Sequence, residues 1–454
     1  MADYNALPLL RARIDTAHPT GPFPVSRHSI GHGGVNSRPL PPGVIEGGRA
    51  LSPRLLRTFI QEYFFICPEP GRYDFSRLDP YMQALADTGA KVVAAICIKP
   101  KALFPQIDPA QWAPTGWDQW QALIRALVHR YSVEQPIVTH WEVGNEVDIG
   151  ENGGCPYLIP DPDDYYTYYA ATVQAVLDAF PQAKVGGPGL ADPDHPMLEP
   201  FARRCHQAGT QLDFVSWHTY TTTPERTVGA FRRTAAMLNA LYGANRPQVM
   251  VTEYGPAFES RSFPEHAMTG YRALNVARNL YWALEGGIDY TFYYHIWDQL
   301  CDVREFEPFF QDPVIMYHHW NEIPHRFGLF SVEGEKRPAY DVYRLYHMAG
   351  ASRLAVELDE GSLLIQATRD DQGRLWAVIL NAGKEDRALA LTFQNLIPGL
   401  YRYENYRIGA PFCPDSLMPA PLEARETCCM ASFTPELYAP AGSVCFVRLL
   451  PLER

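Results

Sequence analysis

The feature that most constrains the fold is an alternation of short apolar runs with longer segments of helical period. Each apolar run is bounded by Gly, Pro or Asn, as strands usually are. The eight runs are Val25–Gly33, Leu55–Ile66, Lys91–Ile98, Ile137–Glu146, Ala183–Pro188, Leu212–Tyr220, Gln248–Tyr254 and Asp289–Trp297. The segments between them include Trp117–Tyr131, Asp163–Phe180, Arg226–Tyr242 and Ala267–Glu285, whose apolar residues recur at three- and four-residue spacing. This alternation is typical of repeated βα units with a parallel sheet.

The length of 454 residues favours two domains. Eight βα units close into a barrel of about 250 residues or more, so we predict an α/β fold with a (β/α)8 TIM barrel over residues 25–349. From residue 350 to 454 short alternating stretches separated by turn residues predict a C-terminal antiparallel β-sandwich. We expect the arm formed by residues 1–24 to pack on the β-sandwich and to give it an edge strand.

The composition excludes several classes of protein. Hydrophobic residues make up 46% and charged residues 20% of the chain, as in ordinary folded proteins. The formal net charge is −12, whereas nucleic acids and anionic membranes are bound by clustered Lys and Arg. No apolar stretch is long enough to span a membrane. The nine cysteines lack the spacing of zinc ligands or of a disulfide framework, and Met1–Asn5 does not begin a signal peptide. We therefore predict reduced thiols and a cytoplasmic protein that binds neither nucleic acid nor membrane.

Two of the predicted strands end in a carboxylate. The fourth ends in Asn145-Glu146 and the seventh reaches Glu253. Because the carboxyl ends of barrel strands meet at one rim, we expect both carboxyl groups in one pocket. A retaining glycosidase needs such a pair about 5 Å apart, one as acid and one as nucleophile. An Asn-Glu pair alone is usually a solvated turn, but His218 and Tyr220 on the strand between the two carboxylates favour catalysis over packing.

The order of these motifs resembles glycoside hydrolase clan A, and within it family 39, whose members include β-xylosidases and α-iduronidases. The resemblance is carried by Arg57, Asn145-Glu146, Val185-Gly186-Gly187-Pro188, the run Asp213–Tyr220, Thr252-Glu253-Tyr254, Gly328-Leu329-Phe330 and the run Lys336–Tyr340. It implies that Glu146 is the acid/base, that Glu253 is the nucleophile and that Asn145 bonds the sugar 2-hydroxyl. It also implies that His218 contacts the sugar or the acid/base and that Tyr220 holds the nucleophile.

Physical chemistry agrees with these roles. Glu146 has to be protonated before the first step, so burial or the charge of Glu253 should raise its pKa, whereas Arg57 would keep Glu253 ionised. Strict alternation along a strand places Asn145 and Glu146 on opposite faces. A bulge or a strand end is therefore expected there.

The second strand departs from the xylosidases, which carry a sugar-binding His near the position of Phe59. Gln61 and Glu62 are expected to take over contacts to sugar hydroxyls, since a carboxylate accepts hydrogen bonds strongly. At the end of the eighth strand, Trp297 is expected to stack on a sugar ring, with core packing as the alternative. His32 ends the first strand, where a loop that binds the glycone would lie.

We predict no metal and no cofactor. His28 and His32 lack a third ligand, and the chain has no phosphate loop or dinucleotide fingerprint. The predicted function is a retaining, exo-acting, β-xylosidase-like enzyme for plant-type oligosaccharides, with the exo preference resting on the long segment Asp298–Pro338 after the eighth strand. The alternatives are another glycosidase specificity (arabinosidase, glucosidase, galactosidase or uronic-acid glycosidase) or a non-catalytic carbohydrate-binding barrel. The linkage, the aglycone and a homo-oligomeric state stay open.

Overall fold

The computed structural model describes residue 7 and residues 9–257, 270–322, 326–359, 361–408 and 419–452. The chain divides into two compact units. The barrel unit comprises residues 27–262 and 287–334, and the sheet unit comprises residues 1–26, 263–286 and 335–454.

The barrel unit is built on eight parallel strands that form a closed barrel. The first described strand of the chain, β1 (Leu9–Pro22), belongs to the sheet unit. The barrel strands are β2 (His28–Gly31), β3 (Leu55–Gln61), β4 (Lys91–Cys97), β5 (Val138–Val143), β6 (Lys184–Leu190), β7 (Phe214–Tyr220), β8 (Gln248–Gly255) and β9 (Tyr290–Tyr293). Each lies within or overlaps a predicted strand, so the predicted barrel is confirmed. A register shift between Trp217 and His218 pairs His218 with Glu253 across β7 and β8.

A helix follows each of these strands, as the sequence predicts. In chain order the first seven are α1 (Pro42–Ala50), α2 (Leu78–Ala86), α3 (Trp117–Val128), α4 (Pro162–Ala179), α5 (Leu198–Ala208), α6 (Pro224–Tyr242) and α7 (Gly270–Gly286). The start of α4 shows how local chemistry fixes a helix end. The Asp161 carboxylate accepts the backbone N–H groups of Asp163 and Asp164 at 2.9 and 3.0 Å, and Pro162 occupies the first turn of α4. Residues 267–269, where the predicted seventh helix begins, lie outside the described residues.

A long segment after β9, which we call the strap (residues 298–322), contains two short helices, α8 (Val303–Phe306) and α9 (Val314–Tyr317), and the π-helical turn His318–Glu322. Near its start, the Leu300 carbonyl accepts a hydrogen bond from Asn36 at 2.9 Å. Farther along, the Glu151 carboxylate accepts the backbone N–H groups of Gln311 and Asp312 at 2.7 and 3.0 Å. The strap therefore extends from the loop after β2 to the loop after β5.

The sheet unit contains α10 (Pro338–Tyr346) and nine further strands: β10 (Ser352–Leu358), β11 (Leu364–Arg369), β12 (Leu375–Asn381), β13 (Arg387–Gln394), β14 (Gly399–Arg407), β15 (Glu423–Cys429), β16 (Ser432–Phe433), β17 (Glu436–Ala439) and β18 (Ser443–Pro451). They form a curled sheet in the order β15-β14-β18-β12-β11-β10-β1-β13-β16, with β17 also paired to β13. Inward side chains such as Leu10, Leu391, Tyr403 and Leu449 share one buried core. This unit is the predicted β-sandwich domain.

The N-terminal strand departs from expectation in its position. β1 pairs antiparallel with β10 and in parallel with β13, so it is an inner strand of the sheet and the predicted edge position is wrong. Its buried residues alternate with exposed ones, and β13 supplies a second hydrogen-bonding neighbour that a local pattern cannot reveal.

The predicted boundaries at residues 24 and 349 stay predictions. Packing places α7 and α10 in the sheet unit.

Among the described residues no helix combines the length and the apolar character that a membrane crossing requires.

Candidate active site

A buried arginine organises the floor of the barrel's open end. Arg57 points inward from β3 and is fully buried. It donates three hydrogen bonds, from Nε to Glu142 at 2.7 Å, from Nη1 to Glu253 at 2.6 Å and from Nη2 to the side-chain oxygen Oδ1 of Asn145 at 2.7 Å. The Thr252 hydroxyl donates to the other oxygen of Glu142 at 2.9 Å. One guanidinium group thus fixes side chains from β5 and β8 relative to β3.

The backbone after β5 turns sharply and brings Glu146 to the same side as Asn145. β5 ends at Val143, and Gly144 and Glu146 adopt φ values of +91° and +45°. A left-handed conformation is unfavourable for a glutamate and is held here by a hydrogen bond from Glu146 N to the Gly189 carbonyl at 2.6 Å. The strand end that the sequence required is therefore present.

Glycine at position 153 makes room for the Glu146 carboxyl group. A Cβ atom on Gly153 would lie 1.9 Å from Glu146 Oε2. The Gly153 carbonyl also accepts a hydrogen bond from the Asn145 amide at 3.1 Å. Any larger residue at position 153 would displace Glu146.

Glu146 and Glu253 face each other with His218 beside them. His218 Nδ1 lies 2.7 Å from Glu146 Oε1, and its Nε2 lies 3.7 Å from Glu253 Oε1. One oxygen of each carboxyl group and one imidazole nitrogen all lie within 4.8 Å of one another. This separation is close to the roughly 5 Å of retaining glycosidases and short of the 6.5 Å or more of inverting ones.

The two carboxyl groups have different surroundings. Burial, together with the negative charge of Asp148 and against the opposing charge of Arg57, raises the pKa of Glu146 to about 8. Glu253 accepts hydrogen bonds from Arg57 and, at 2.5 Å on its other oxygen, from the Tyr220 hydroxyl, and both donors stabilise an anion. The pair therefore consists of a neutral acid facing a carboxylate.

His218 and Tyr220 remain neutral in this setting. Burial lowers the pKa of His218, against the influence of Glu253. Burial also raises the pKa of Tyr220, so its phenol keeps the proton that it shares with Glu253. The Tyr220 ring is stacked on Phe327 with the centroids 5.9 Å apart, which fixes the hydroxyl in place.

A cavity of about 300 Å³ opens over the two carboxyl groups. Its size suits one sugar ring and part of a neighbouring group. Apart from the two glutamates and His319, the side chains that line the cavity are aromatic, aliphatic or neutral amides. The lining residues are Gly34, Phe59, Gln61, Glu146, Ile149, Asn152, Gly153, Gly154, Ala191, Tyr220, Glu253, Tyr294, Met316, His319 and Trp320.

Residues 69–390 match the family model described as glycosyl hydrolases family 39. The chain belongs to glycosyl hydrolases family 39. This match confirms the resemblance to family 39 seen in the sequence.

Relatives of this family 39 chain include a β-xylosidase from Geobacillus stearothermophilus, 23% identical over 295 residues, which are 60% of this chain and 54% of that protein. The match thus spans about half of that relative's length. Among solved structures, a monomeric β-xylosidase from Caulobacter crescentus CB15 has a TM-score of 0.77 at 19% identity, covering 98% of this chain and 100% of that one. A glucosidase from Croceicoccus marinus has a TM-score of 0.73 at 18% identity, covering 98% and 100%. These likenesses show a shared fold.

Gln61 lies in the cavity of the family 39 chain, whereas its neighbour Glu62 does not. Arg57, Phe59 and Gln61 alternate along β3 and point inward together. The Gln61 amide donates to the Gly154 carbonyl at 2.5 Å, and no described residue bonds its Oε1. Glu62 instead accepts the backbone N–H of Lys99 at 2.9 Å.

The structure therefore does not support the predicted contact of Glu62 with a sugar. The chain turns after Gln61 into a short helical turn, and the buried Glu62 side chain contacts the backbone of Lys99, just after the end of β4. Burial raises its pKa to about 8.

His32 and Trp297 also lie outside the cavity lining. Their rings are stacked with the centroids 5.9 Å apart, and both are buried. The Trp297 indole N–H donates to the Val332 carbonyl at 3.1 Å. The structure therefore does not support the expected sugar contacts of these two residues. Core packing, the alternative given for Trp297, describes its position. The chain leaves the barrel wall after Tyr293, so Trp297 is no longer on an inward-facing position.

Several lining residues were missed by the sequence reasoning. Tyr294 follows β9 directly and donates its hydroxyl hydrogen to the Gly33 carbonyl at 2.7 Å. An aromatic residue at a strand end could have been chosen by the same rule that selected Glu146 and Glu253. Met316 and Trp320 come from the strap, and no local pattern indicates which strap residues reach the cavity.

Glu146, His218 and Glu253 are close enough to bind a metal ion together. Metal ligands have to be deprotonated. The raised pKa of Glu146 opposes this, and both oxygens of Glu253 already accept hydrogen bonds from Arg57 and Tyr220. The donor set therefore favours acid–base chemistry.

Proposed function

We propose that this family 39 chain is a retaining glycoside hydrolase that works by double displacement, with Glu146 as acid/base and Glu253 as nucleophile. The observation that carries the proposal is the pair of facing carboxyl oxygens within 4.8 Å of each other at one cavity. Family membership supports hydrolysis of a glycosidic bond as the reaction.

In the first step a Glu253 oxygen attacks the anomeric carbon while the bond to the leaving oxygen breaks. Glu146 gives its proton to that oxygen, so the aglycone leaves as a neutral alcohol. Arg57 and Tyr220 hold the attacking carboxylate in one orientation by hydrogen bonds at 2.6 and 2.5 Å. The product of this step is a glycosyl ester on Glu253.

In the second step Glu146, now ionised, takes a proton from water, and the hydroxide attacks the anomeric carbon and releases Glu253 as a carboxylate. Glu146 is then protonated again and Glu253 is again a free carboxylate, as before the first step. The sugar keeps its anomeric configuration because each step inverts it once.

We propose exo action on a single terminal sugar. The strap is tied to the loop after β5 by the two hydrogen bonds to Glu151 and contributes Met316 and Trp320 to the cavity. It thereby covers one side of what would otherwise be a cleft. Gln61 Oε1 offers an acceptor for one sugar hydroxyl.

We propose a β-xylosidase-like specificity, which the names of two relatives support. Arabinosidase, glucosidase and galactosidase activities use the same site and stay as alternatives. A uronic-acid substrate is less favoured, because no Lys or Arg lines the described cavity to pair with its carboxylate. A cytoplasmic location is supported by the eight described cysteines, which form no disulfide.

The test is a pair of substitutions assayed on nitrophenyl glycosides. Glu253→Gln should abolish turnover, and Glu146→Ala should stall the second step and regain activity with azide, which attacks without base assistance. Glu404→Gln, a buried glutamate of the sheet unit, is the control and should keep wild-type activity. A non-catalytic carbohydrate-binding barrel would bind sugars and turn over none of these substrates, which would refute the proposal.

A further inference from the structure

The side of the cavity that receives the leaving group can be located from Glu146. The general acid protonates the leaving oxygen, so the aglycone has to lie next to Glu146 and to the turn that follows it. In that turn the backbone N–H of Ile149 donates to the Glu146 carbonyl at 3.0 Å, and the N–H of Gly150 donates to the same oxygen at 2.9 Å. Ile149 is thus fixed one turn away from the acid.

A second segment is held against this turn by Asp148. Its carboxylate accepts the backbone N–H groups of Ala191 and Asp192, at 3.0 and 3.2 Å. Ala191 follows the end of β6 and lines the cavity together with Ile149. The charged group of Asp148 is engaged with backbone, so the side chains presented to the cavity from these two segments are mainly aliphatic, with Asn152 as the polar member.

The chemistry of these side chains differs from that of a site for a second sugar. A sugar leaving group needs hydrogen-bonding partners for its hydroxyls or an aromatic face for its ring. Ile149 and Ala191 offer neither, and Asn152 supplies a single amide group beside them. Ile149 is 38% exposed, so an apolar group placed on it would remove hydrocarbon surface from water.

We propose that the leaving-group subsite formed by Ile149 and Ala191 takes an apolar aglycone, an alkyl or aryl group, in preference to a second sugar. This inference rests on the proposed glycosidase function and names the substrate class for it. The enzyme would then act on small glycosides of hydrophobic alcohols or phenols.

The experiment compares methyl, butyl and hexyl glycosides of the sugar that the nitrophenyl panel selects with the disaccharide of that sugar. Simple alkyl alcohols have nearly equal acidity, so differences in kcat/KM report contacts with the aglycone. Each buried methylene group can contribute up to about fourfold, and we expect the hexyl glycoside to exceed the methyl glycoside at least about tenfold. The disaccharide, whose sugar hydroxyl leaves more readily than an alkanol, is ranked by binding.

A matched pair of variants isolates the subsite. Ile149→Ser should lower kcat/KM for the hexyl glycoside about three- to tenfold and leave the methyl glycoside nearly unchanged. Ile107→Ser is the control, because Ile107 is also 38% exposed and is outside the cavity lining. Equal hexyl-to-methyl ratios in the two variants would overturn the inference.

Calorimetric binding of the same compounds to the Glu253→Gln variant gives an independent ranking without turnover. Tighter binding of the hexyl than of the methyl glycoside or the disaccharide supports the inference, and the reverse order overturns it. Failure of the proposed function has another signature, namely no turnover of any nitrophenyl glycoside by the wild-type protein.

Discussion

Nη1 of Arg57 lies 2.6 Å from Oε1 of Glu253, and neither side chain is more than 8% exposed. A buried ion pair is tolerated when the remaining polar atoms of both partners are also bonded. Arg57 meets this condition through Glu142 and Asn145, and Glu253 meets it through Tyr220. The arginine thus links Glu253, the proposed nucleophile, to Asn145, the residue beside the proposed acid/base Glu146, and the relative position of both carboxyl groups depends on it.

Replacing Arg57 by Lys tests this link. Lysine keeps the charge but lacks the planar fork that reaches Glu142, Glu253 and Asn145 at once. We expect Arg57→Lys to lower kcat/KM at least about 100-fold through misplacement of the nucleophile. Arg246→Lys is the control, since Arg246 bonds Asp289 away from the cavity, and its kcat/KM should be nearly unchanged. Similar activities of the two variants would contradict the account.

The pH dependence of activity should report Glu146. Burial and the charge of Asp148 raise its pKa to about 8, and the protonated form is the acid of the proposed first step. For substrates with poor leaving groups, kcat/KM should therefore be high below pH 8 and fall tenfold per pH unit above it. In Glu146→Gln, assayed with an activated leaving group, this alkaline limb should vanish. Its persistence would assign the limb to another residue.

Glu62 should make the protein less stable as the pH rises. Burial raises its pKa from 4.5 to about 8, and the Lys99 N–H opposes the rise. The folded protein then holds a proton that the unfolded chain has lost, so stability falls between about pH 4.5 and pH 8. Glu62→Gln has no such proton, and its melting temperature should drop less between pH 5 and pH 8, by about 5 °C. Glu199→Gln, at an exposed site, should behave as wild type. Equal drops for all three proteins would refute the role of Glu62.

The strap should determine where a polymer is cut. Glu151→Ala removes the acceptor of two exposed backbone N–H groups of the strap, a net loss of about 0.5–1.5 kcal/mol per hydrogen bond. We expect the strap to detach more often and mid-chain cleavage of a polysaccharide to rise at least about threefold relative to release of terminal sugar. Glu134→Ala is the control, because Glu134 pairs with Arg130 at the end of the helical segment His129–Glu134 and is outside the cavity lining. An unchanged product ratio for Glu151→Ala would show that the strap does not set exo action.

The sequence predicted the position of those site residues that lie at the ends of periodic strands. Glu146, His218, Tyr220 and Glu253 lie at or near strand ends, and parallel strands bring their ends to one rim. The barrel and these four positions therefore followed from local pattern and topology together.

Other positions depended on backbone conformations and chain paths that periodicity does not encode. Gln61 and Glu62 are neighbours at the end of β3, and only the turn that follows decides which one enters the cavity. Tyr294, and not Trp297, reaches it because β9 ends at Tyr293. Trp320 arrives on the strap, whose route is fixed by long-range hydrogen bonds such as those of Glu151.

The most direct test of the central claim is covalent trapping with a 2-deoxy-2-fluoro glycoside that carries a good leaving group. The fluorine slows both steps, and the good leaving group restores only the first, so a glycosyl-enzyme should accumulate. We predict that mass spectrometry of the digested protein will find one fluorosugar per chain, on the peptide that contains Glu253, and none in Glu253→Gln. A label on another residue, or turnover with no label under conditions that inactivate retaining enzymes, would contradict the account.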